Sequence, residues 1–284
     1  MGLLLCLGLL QACSAVKLGY KNAPDLVYWW IDGYADLSEA QSIKTRDDLA
    51  RLQQWHRASE LPKIAGLLRA AQQLASTNVS GDRVCSLLTD IRLRIDAVTA
   101  QAEPWAVALS TGMNAGQLNR IEAKFARTNA EWRDEWLAGS LAQRQARRLK
   151  AAVERSEQIY GNLEERQVAL LRDFAGNSDF DPQIRYAERL RRQQDLLQTL
   201  RQTSGLSGES RLDAQQAAAA VHAYLERTAN SPNPTYRTYI DREIRDNCKA
   251  FSQLHNVTTA VQRERAVQRL AAYERDALEL AAPR

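Results

Sequence analysis

The spacing of apolar residues constrains the fold of this chain most strongly. Long stretches carry Leu and Ala at intervals of three and four residues, which is the period of an amphipathic α-helix. Only 13 Gly and 7 Pro interrupt 284 residues, and runs of alternating β-branched residues are absent. The sequence therefore predicts an all-α protein, an elongated bundle of about ten to eleven helices.

Breaks in this pattern give the approximate helix bounds. Pro62 is expected to end or bend the second helix, and Asp181 before Pro182 is typical of a capped helix start. The predicted helices are residues 25–35, 39–59, 62–75, 82–101, 115–137, 140–160, 163–175, 182–203, 209–229, 235–254 and 259–281.

Several predicted helix starts share the capping box, in which a short polar side chain stands three residues before Gln or Glu. The cap accepts a hydrogen bond from the third helical amide, and the Gln or Glu returns one to the amide of the cap. The predicted pairs are Ser38 with Gln41, Asn114 with Gln117, Thr259 with Gln262, and Asn162 with Glu165. No fixed period separates these starts, so a repeat array is not indicated.

The first residues indicate export. The apolar stretch from Leu3 to Leu10 is far shorter than the roughly 20 residues that span a bilayer, but it suits the apolar core of a signal peptide. It leads into Leu9-Leu10-Gln11-Ala12-Cys13-Ser14, which resembles the lipobox of bacterial lipoproteins. The resemblance implies cleavage before Cys13 and lipidation of that cysteine. Met1-Gly2 lacks the positive charge with which a signal normally opens, so the true start stays open.

These features predict three segments and a location. Residues 1–12 are the cleaved signal peptide, residues 13–24 the lipidated N-terminus and tether, and residues 25–284 a helical periplasmic domain. The membrane is thus a partner through Cys13, where two acyl chains give stable anchoring. Ser14 resembles the sorting signal for the outer membrane, on its periplasmic side. The alternative is an uncleaved buried helix with an ordinary cysteine.

Two cysteines would remain in the mature domain, Cys85 and Cys248. They could form a disulfide in an oxidising periplasm; the alternative is two buried, unpaired thiols. The formal net charge of +4 is too small to indicate nucleic acid as a partner.

Several motifs resemble an uncharacterised family of proteobacterial lipoproteins, the domain of unknown function 6279. They are Lys17 to Pro24, Tyr28 to Asp32, Trp55-His56-Arg57 with Glu60-Leu61-Pro62, and Leu254-His255-Asn256. The resemblance implies a helical envelope lipoprotein and brings no known activity. The Leu-Ser-x-x-Gln type of helix start is also similar, over five residues, to the L-T-x-x-Q motifs of the periplasmic stress proteins Spy and CpxP.

Candidate binding residues cluster in two motifs, Tyr28-Trp29-Trp30 and Trp55-His56-Arg57. For the first motif we expect core packing, with part of it exposed as a contact site or lying at lipid headgroup level; for the second, a structural role is favoured. The three histidines lack the spacing of a zinc site, and no serine lies in a Gly-x-Ser-x-Gly turn. The sequence thus predicts no catalytic residue, metal or cofactor.

Basic residues recur along two predicted helices and are interleaved with Glu and Asp, so we expect mostly ion-paired, solvated faces. They are Arg144, Arg147, Arg148, Lys150 and Arg155, followed by Arg185, Arg189, Arg191 and Arg192. The leading functional hypothesis is a protein-binding module, a chaperone or envelope-assembly factor, that uses an apolar groove with an Arg-rich rim. The alternative is a structural envelope lipoprotein without client binding; an enzyme is less favoured.

Overall fold

The computed structural model describes residues 16–208 and 212–282, and within these ranges the chain forms α-helices, one π-helical segment and no strand. The predicted all-α fold is confirmed. The helices are α1 (Ala23–Ala35), α2 (Glu39–Trp55), the π segment (His56–Glu60), α3 (Leu61–Ala75), α4 (Gly81–Thr111), α5 (Ala115–Trp136), α6 (Leu141–Tyr160), α7 (Glu165–Asn177), α8 (Pro182–Thr203), α9 (Ala214–Ala229), α10 (Pro234–Asn256) and α11 (Ala260–Ala281).

The predicted signal peptide and Cys13 lie outside the described residues. The second half of the predicted tether is not an irregular linker. Residues 16–21 are helical, and the turn at Asn22 connects them to α1. Lys17 reaches α11, where its Nζ donates to Glu279 at 2.8 Å. In the described part of the chain, no helix combines the length and the apolar character needed to span a membrane.

Pro62 was expected to end or bend the second helix; it does not end it, and the α-helix is interrupted just before Pro62 by the π segment. Helical structure runs from Glu39 to Ala75, and the five residues of the π segment separate α2 from α3. Within it the amide of Leu61 donates to the carbonyl of His56, five residues back. Proline has no amide hydrogen and clashes with the preceding turn of an α-helix. A widened turn before Pro62 lets the helix continue.

Two other predicted bounds are wrong. Helix α4 was expected to end at residue 101 but continues to Thr111, with Pro104 inside it. An interior proline disfavours a helix locally, but Leu109 and Ser110 beyond it are held by burial and packing. Helix α9 was expected from residue 209 but begins at Ala214, because Asp213 caps it by accepting from the amide of Gln216.

The capping boxes explain how six helices begin. Those predicted at Ser38, Asn114 and Thr259 are confirmed. The box predicted from Asn162 to Glu165 is wrong: α7 starts two residues later, and the side chain of Gln167 accepts from the amide of Glu164. Boxes that were not predicted start α6, from Ser140 to Gln143, and α9, from Asp213 to Gln216.

The glutamines of four boxes also join helix starts in pairs. Gln117 Nε2 donates to Gln41 Oε1 at 2.7 Å, which connects the starts of α5 and α2. The side-chain amide of each glutamine also donates to a backbone carbonyl in the loop before the other helix. Gln41 donates to Gly112 O at 2.9 Å, and Gln117 donates to Asp36 O at 3.3 Å. One side chain therefore stabilises its own helix start and a neighbouring loop.

Gln167 and Gln262 repeat this arrangement at the starts of α7 and α11. Gln167 Nε2 donates to Gln262 Oε1 at 2.7 Å, and Gln262 Nε2 donates to Gln167 Oε1 at 2.9 Å. The same amides donate to Val257 O at 3.1 Å and to Asn162 O at 2.9 Å. Both glutamines are buried, so these bonds supply the partners that a buried amide requires.

Three apolar clusters form the described core. The first joins the end of α1 and the end of α4 to α5 and α8, around Ala35, Leu118 and Leu197. The second lies between α3 and α11 and contains Leu61, Ala65, Ala277 and Leu280. The third joins α6, α7, α10 and α11 around Tyr160, Leu171, Leu254 and Ala266.

A disulfide between Cys85 and Cys248 joins α4 to α10, with the two Cα atoms 5.6 Å apart. The sequence had left this pairing open. At the first residue of α4, a Cβ on Gly81 would lie 3.3 Å from the Cα of Lys249. Glycine thus permits the close approach of the two helices next to the bridge.

Candidate binding surfaces

The motif Tyr28-Trp29-Trp30 is divided between the core and the solvent. Tyr28 is buried against α2, where its hydroxyl donates to Ser42 Oγ at 3.1 Å and the guanidinium of Arg46 lies 3.6 Å from its ring centre. Trp29 and Trp30 are 61% and 66% exposed. The expected core packing therefore holds for Tyr28, and the two tryptophans form the part of the motif that is exposed.

The exposed tryptophans belong to a larger apolar surface, which we call the N-terminal aromatic face: Leu18, Leu26, Trp29 and Trp30. Asn22 N donates to Leu18 O and Leu26 N donates to Asn22 O, so the helical repeat crosses the junction before α1. The four side chains recur at helical spacing and all are exposed. Contiguous exposed apolar residues mark an interaction site more often than isolated ones do.

Trp55-His56-Arg57 forms a separate group at the other end of α2. Tyr28 contacts α2 near Arg46, so Trp55 lies about 14 Å further along the axis at 1.5 Å per residue. His56 Nδ1 is 2.9 Å from the hydroxyl of Tyr20, and Arg57 Nε donates to the carbonyl of Leu280 at 2.8 Å. All three motif residues are partly buried. The structure thus does not bring the two predicted motifs into one surface.

The polar groups around the π segment are paired with one another. Glu60 is fully buried and accepts from Lys63 Nζ at 2.6 Å and from Arg94 at 3.2 Å. Burial acts to raise the pKa of Glu60, but the hydrogen bond and charge of Lys63, together with Arg94, outweigh it and hold the pKa below its usual value. Burial lowers the pKa of His56, against the opposing charge of Glu60, and raises the pKa of Tyr20 to about 12. These contacts favour a structural role for His56.

A second Tyr–His pair lies deeper in the fold. His255 Nε2 is 2.8 Å from the carbonyl of Thr77, so this nitrogen is the donor, and Nδ1 accepts from the hydroxyl of Tyr160 at 2.9 Å. Burial lowers the pKa of His255, the hydrogen bond to Thr77 opposes this shift, and the charge of Arg263 acts in the same direction as burial; the lowered pKa favours the neutral imidazole. The pair joins α10 to α6 and to the loop between α3 and α4.

The basic stretches of α6 and α8 make internal contacts. In α6, arginines donate to backbone carbonyls at helix ends: Arg144 to Gly139, Arg147 to Ala138, and Arg148 to Ala175. In α8, arginines pair with carboxylates, Arg185 with Glu243, and both Arg191 and Arg192 with Glu188. The expected ion pairing is thus found for Arg185, Arg191 and Arg192 of α8 and for Lys150 of α6, which lies 3.8 Å from Glu154, whereas the three α6 arginines donate to carbonyls at the ends of neighbouring helices.

A cleft of about 350 Å³ lies where the end of α5, the start of α6 and residues 178–182 meet. Its lining includes Trp136, Phe180 and Arg148, with arginines and carboxylates in equal number. The guanidinium of Arg148 donates to the carbonyl of Ala175 and to Ser178, and the equal number of arginines and carboxylates gives the lining no net formal charge. Among residues 16–208 and 212–282, no three His, Cys, Asp or Glu side chains lie close enough to hold a metal ion.

Sequence reasoning missed an apolar surface on α4, which we call the α4 stripe: Leu88, Ile91 and Ile95. These side chains are 43%, 41% and 60% exposed. They belong to an alternating four-and-three spacing that includes Val84 and Val98, the seam pattern of a coiled coil. The spacing is visible in the sequence, but it gives no indication that the middle of the seam lacks a covering helix.

Arginines flank the α4 stripe on both sides. Arg92 follows Ile91 and donates to the carbonyl of Ala229 at 2.9 Å, and no carboxylate of the described residues forms a salt bridge with it. Arg94 precedes Ile95 and shares the single carboxylate of Glu60 with Lys63. Arg92 and Arg94 are therefore the charged residues next to the stripe, and the exposed carboxylates Asp96 and Asp90, each four residues from one of these arginines, lie further out on the same helix.

Together these observations define an all-α protein that exposes two apolar helix faces and has a disulfide between two of its helices. Residues 33–218, more than half of the chain, match the model of a family of unknown function, DUF6279. The chain belongs to this family, as the resemblance had indicated, and of the quoted motifs Trp55-His56-Arg57 with Glu60-Leu61-Pro62 lies within the matched residues. Neither the curated proteins nor the solved structures that were searched contain a match.

Proposed function

We propose that this protein is a periplasmic lipoprotein, anchored to the outer membrane through Cys13, that binds an amphipathic helix of a partner protein. The disulfide between Cys85 and Cys248 supports an oxidising compartment, because such bridges are rare in the cytosol. The binding role is that of a chaperone or an envelope-assembly factor.

The α4 stripe carries the proposal. Leu88, Ile91 and Ile95 extend over two helical turns, about 10 Å, which matches the seam of a short helix–helix contact. Burying exposed apolar surface contributes roughly 25 cal/mol per Å². A partner helix with apolar residues at three-and-four spacing would gain this contribution by covering the stripe, which is the helix-in-groove mode of recognition.

The flanking charges select the kind of partner. If two copies of this chain paired antiparallel through their stripes, Arg92 and Arg94 would face arginines of the other copy, and like charges at the edges of a seam disfavour pairing. A helix with Glu or Asp beside its apolar seam complements both arginines. We therefore propose an acidic amphipathic helix as the partner.

The test is site-specific photo-crosslinking of the full-length protein in cells. A photoreactive residue replaces Ile95 in the stripe or, as the matched control, Leu93, which is half exposed on the opposite side of the same helix. We expect adducts from position 95 that are absent at position 93, that decrease when Arg92 is changed to Glu, and that map to an acidic helical segment of the captured protein.

The adducts distinguish the hypotheses. Adducts with many unrelated envelope proteins support a chaperone, and one dominant adduct supports a dedicated assembly factor. Equal capture at positions 93 and 95, or no capture at either, would refute binding through the stripe and favour the structural role without a client.

A further inference from the structure

The N-terminal aromatic face begins close to the proposed lipid anchor. Only residues 14 and 15 separate Cys13 from Val16, the first described residue, so the chain from Cys13 to Val16 spans at most about 11 Å. The helical residues from 16 to 35 then extend for about 30 Å. Leu18 lies at the near end of this length, and Trp29 and Trp30 lie along its second half.

We infer that the N-terminal aromatic face docks on the membrane surface that holds Cys13, so that the helix from residue 16 to residue 35 lies in the plane of the lipid headgroups. The inference rests on the proposed lipid anchor and deepens it. Tryptophan is enriched at the membrane–water interface, and a helix with one apolar side binds there with its axis parallel to the bilayer.

Contacts on the other side of this helix determine which side remains for the lipid. Tyr20 bonds to His56, Tyr28 bonds to Ser42, and Lys17 pairs with Glu279, so the helix is held against α2 and α11. The aromatic face points away from these contacts. It can therefore meet the lipid without any rearrangement of the fold.

Charge around the face indicates which lipid property matters. Two charged residues are exposed beside it, Lys21 and Asp25, one of each sign, and Asp25 is paired with Arg46 at 2.8 Å. A nearly neutral face gains little from anionic headgroups. Docking should therefore occur on zwitterionic lipid and should change little with salt.

The membrane is favoured over a protein as occupant, because a tether of two residues holds the face at high effective concentration next to lipid.

The experiment uses the full-length lipidated protein, reconstituted in phosphatidylcholine vesicles whose acyl chains carry bromine near the headgroup. Bromine quenches the fluorescence of tryptophans that enter the membrane interface. Trp29 and Trp30 are two of the six tryptophans in the chain. Three proteins are compared: wild type, a Trp29→Phe/Trp30→Phe variant that keeps the face apolar, and Trp55→Phe as the control at a partly buried position. Flotation of the vesicles measures anchoring separately, with Cys13→Ser as its control.

We expect quenching in the wild type and in Trp55→Phe, at low and at high salt, and loss of most of it in the double variant, although all three proteins float. Quenching that persists in the double variant, or a floating wild type that is not quenched, would overturn the docking while leaving the anchor intact. A wild-type protein that does not float with the vesicles would refute the lipid anchor of the proposed function. The docking inference would then be refuted as well, because it rests on that anchor.

Discussion

Reducing the bridge between Cys85 and Cys248 should destabilise the fold by an amount that follows from its place in the chain. The two cysteines are separated by 163 residues. In the chain-entropy model a cross-link over a loop of this length stabilises the native state by about 5 kcal/mol, because it removes conformations from the unfolded state. Residual structure in the unfolded chain lowers this value, and we expect about 2 to 5 kcal/mol.

The measurement is urea unfolding of the same wild-type protein with and without reductant. This comparison isolates the effect of the cross-link on the free energy of unfolding, since no side chain is replaced. A Cys248→Ser substitution would add its own free-energy cost, because Cys248 is buried. The Cys85→Ser variant, which cannot form the bridge, is the control and should not respond to reductant. If the oxidised and reduced wild type differ by less than about 1 kcal/mol, the bridge is absent or does not constrain the unfolded state as reasoned.

Two further predictions concern buried polar pairs. Because the folded state holds the pKa of His255 below its value in the unfolded chain, near 6.5, the contribution of His255 to stability should be constant above about pH 6.5 and should fall as the pH drops further, since the unfolded chain then binds the proton first. The difference in urea midpoint between the wild type and His255→Gln, followed from pH 8 to pH 5, measures this contribution apart from that of His56, whose pKa is also lowered. An unchanged slope in His255→Gln would contradict the assignment. Gln167→Ala should lower the free energy of unfolding by about 1 to 3 kcal/mol because it leaves buried groups unpaired, and Gln143→Ala, at an exposed capping box, should cost about 1 kcal/mol or less. Equal losses in the two variants would mean that the pairing with Gln262 adds nothing.

Local signals in the sequence predicted much of the fold. Apolar spacing located α1 to α11 but not the helical residues 16–21, and the capping boxes at Ser38, Asn114 and Thr259 start helices where expected. The start of α8 agrees with the prediction because the cap Asp181 and Pro182 at the first helical position are neighbours in sequence. Features that depend on neighbours in sequence are therefore readable without the structure.

The remaining features depend on packing between distant segments. The pairing of Gln41 with Gln117 joins residues 76 positions apart, and a capping box carries no sign of its partner. The exposure of Trp29 and Ile95 depends on which helices fail to cover them. Apolar residues at helical spacing indicate a core by default, so both apolar surfaces were visible only in three dimensions.

The distance along the chain between Cys85 and Cys248 also sets an order of events during biogenesis. A chain that crosses a membrane from its N-terminus delivers Cys85 long before Cys248. Until nearly the whole protein has emerged, Cys85 is a thiol whose native partner has not arrived, and lipidation of Cys13 would remove a competing thiol in the meantime. On the proposed export route, closure of the bridge would report that export is almost complete, and any fragment truncated before Cys248 would carry a thiol without its native partner.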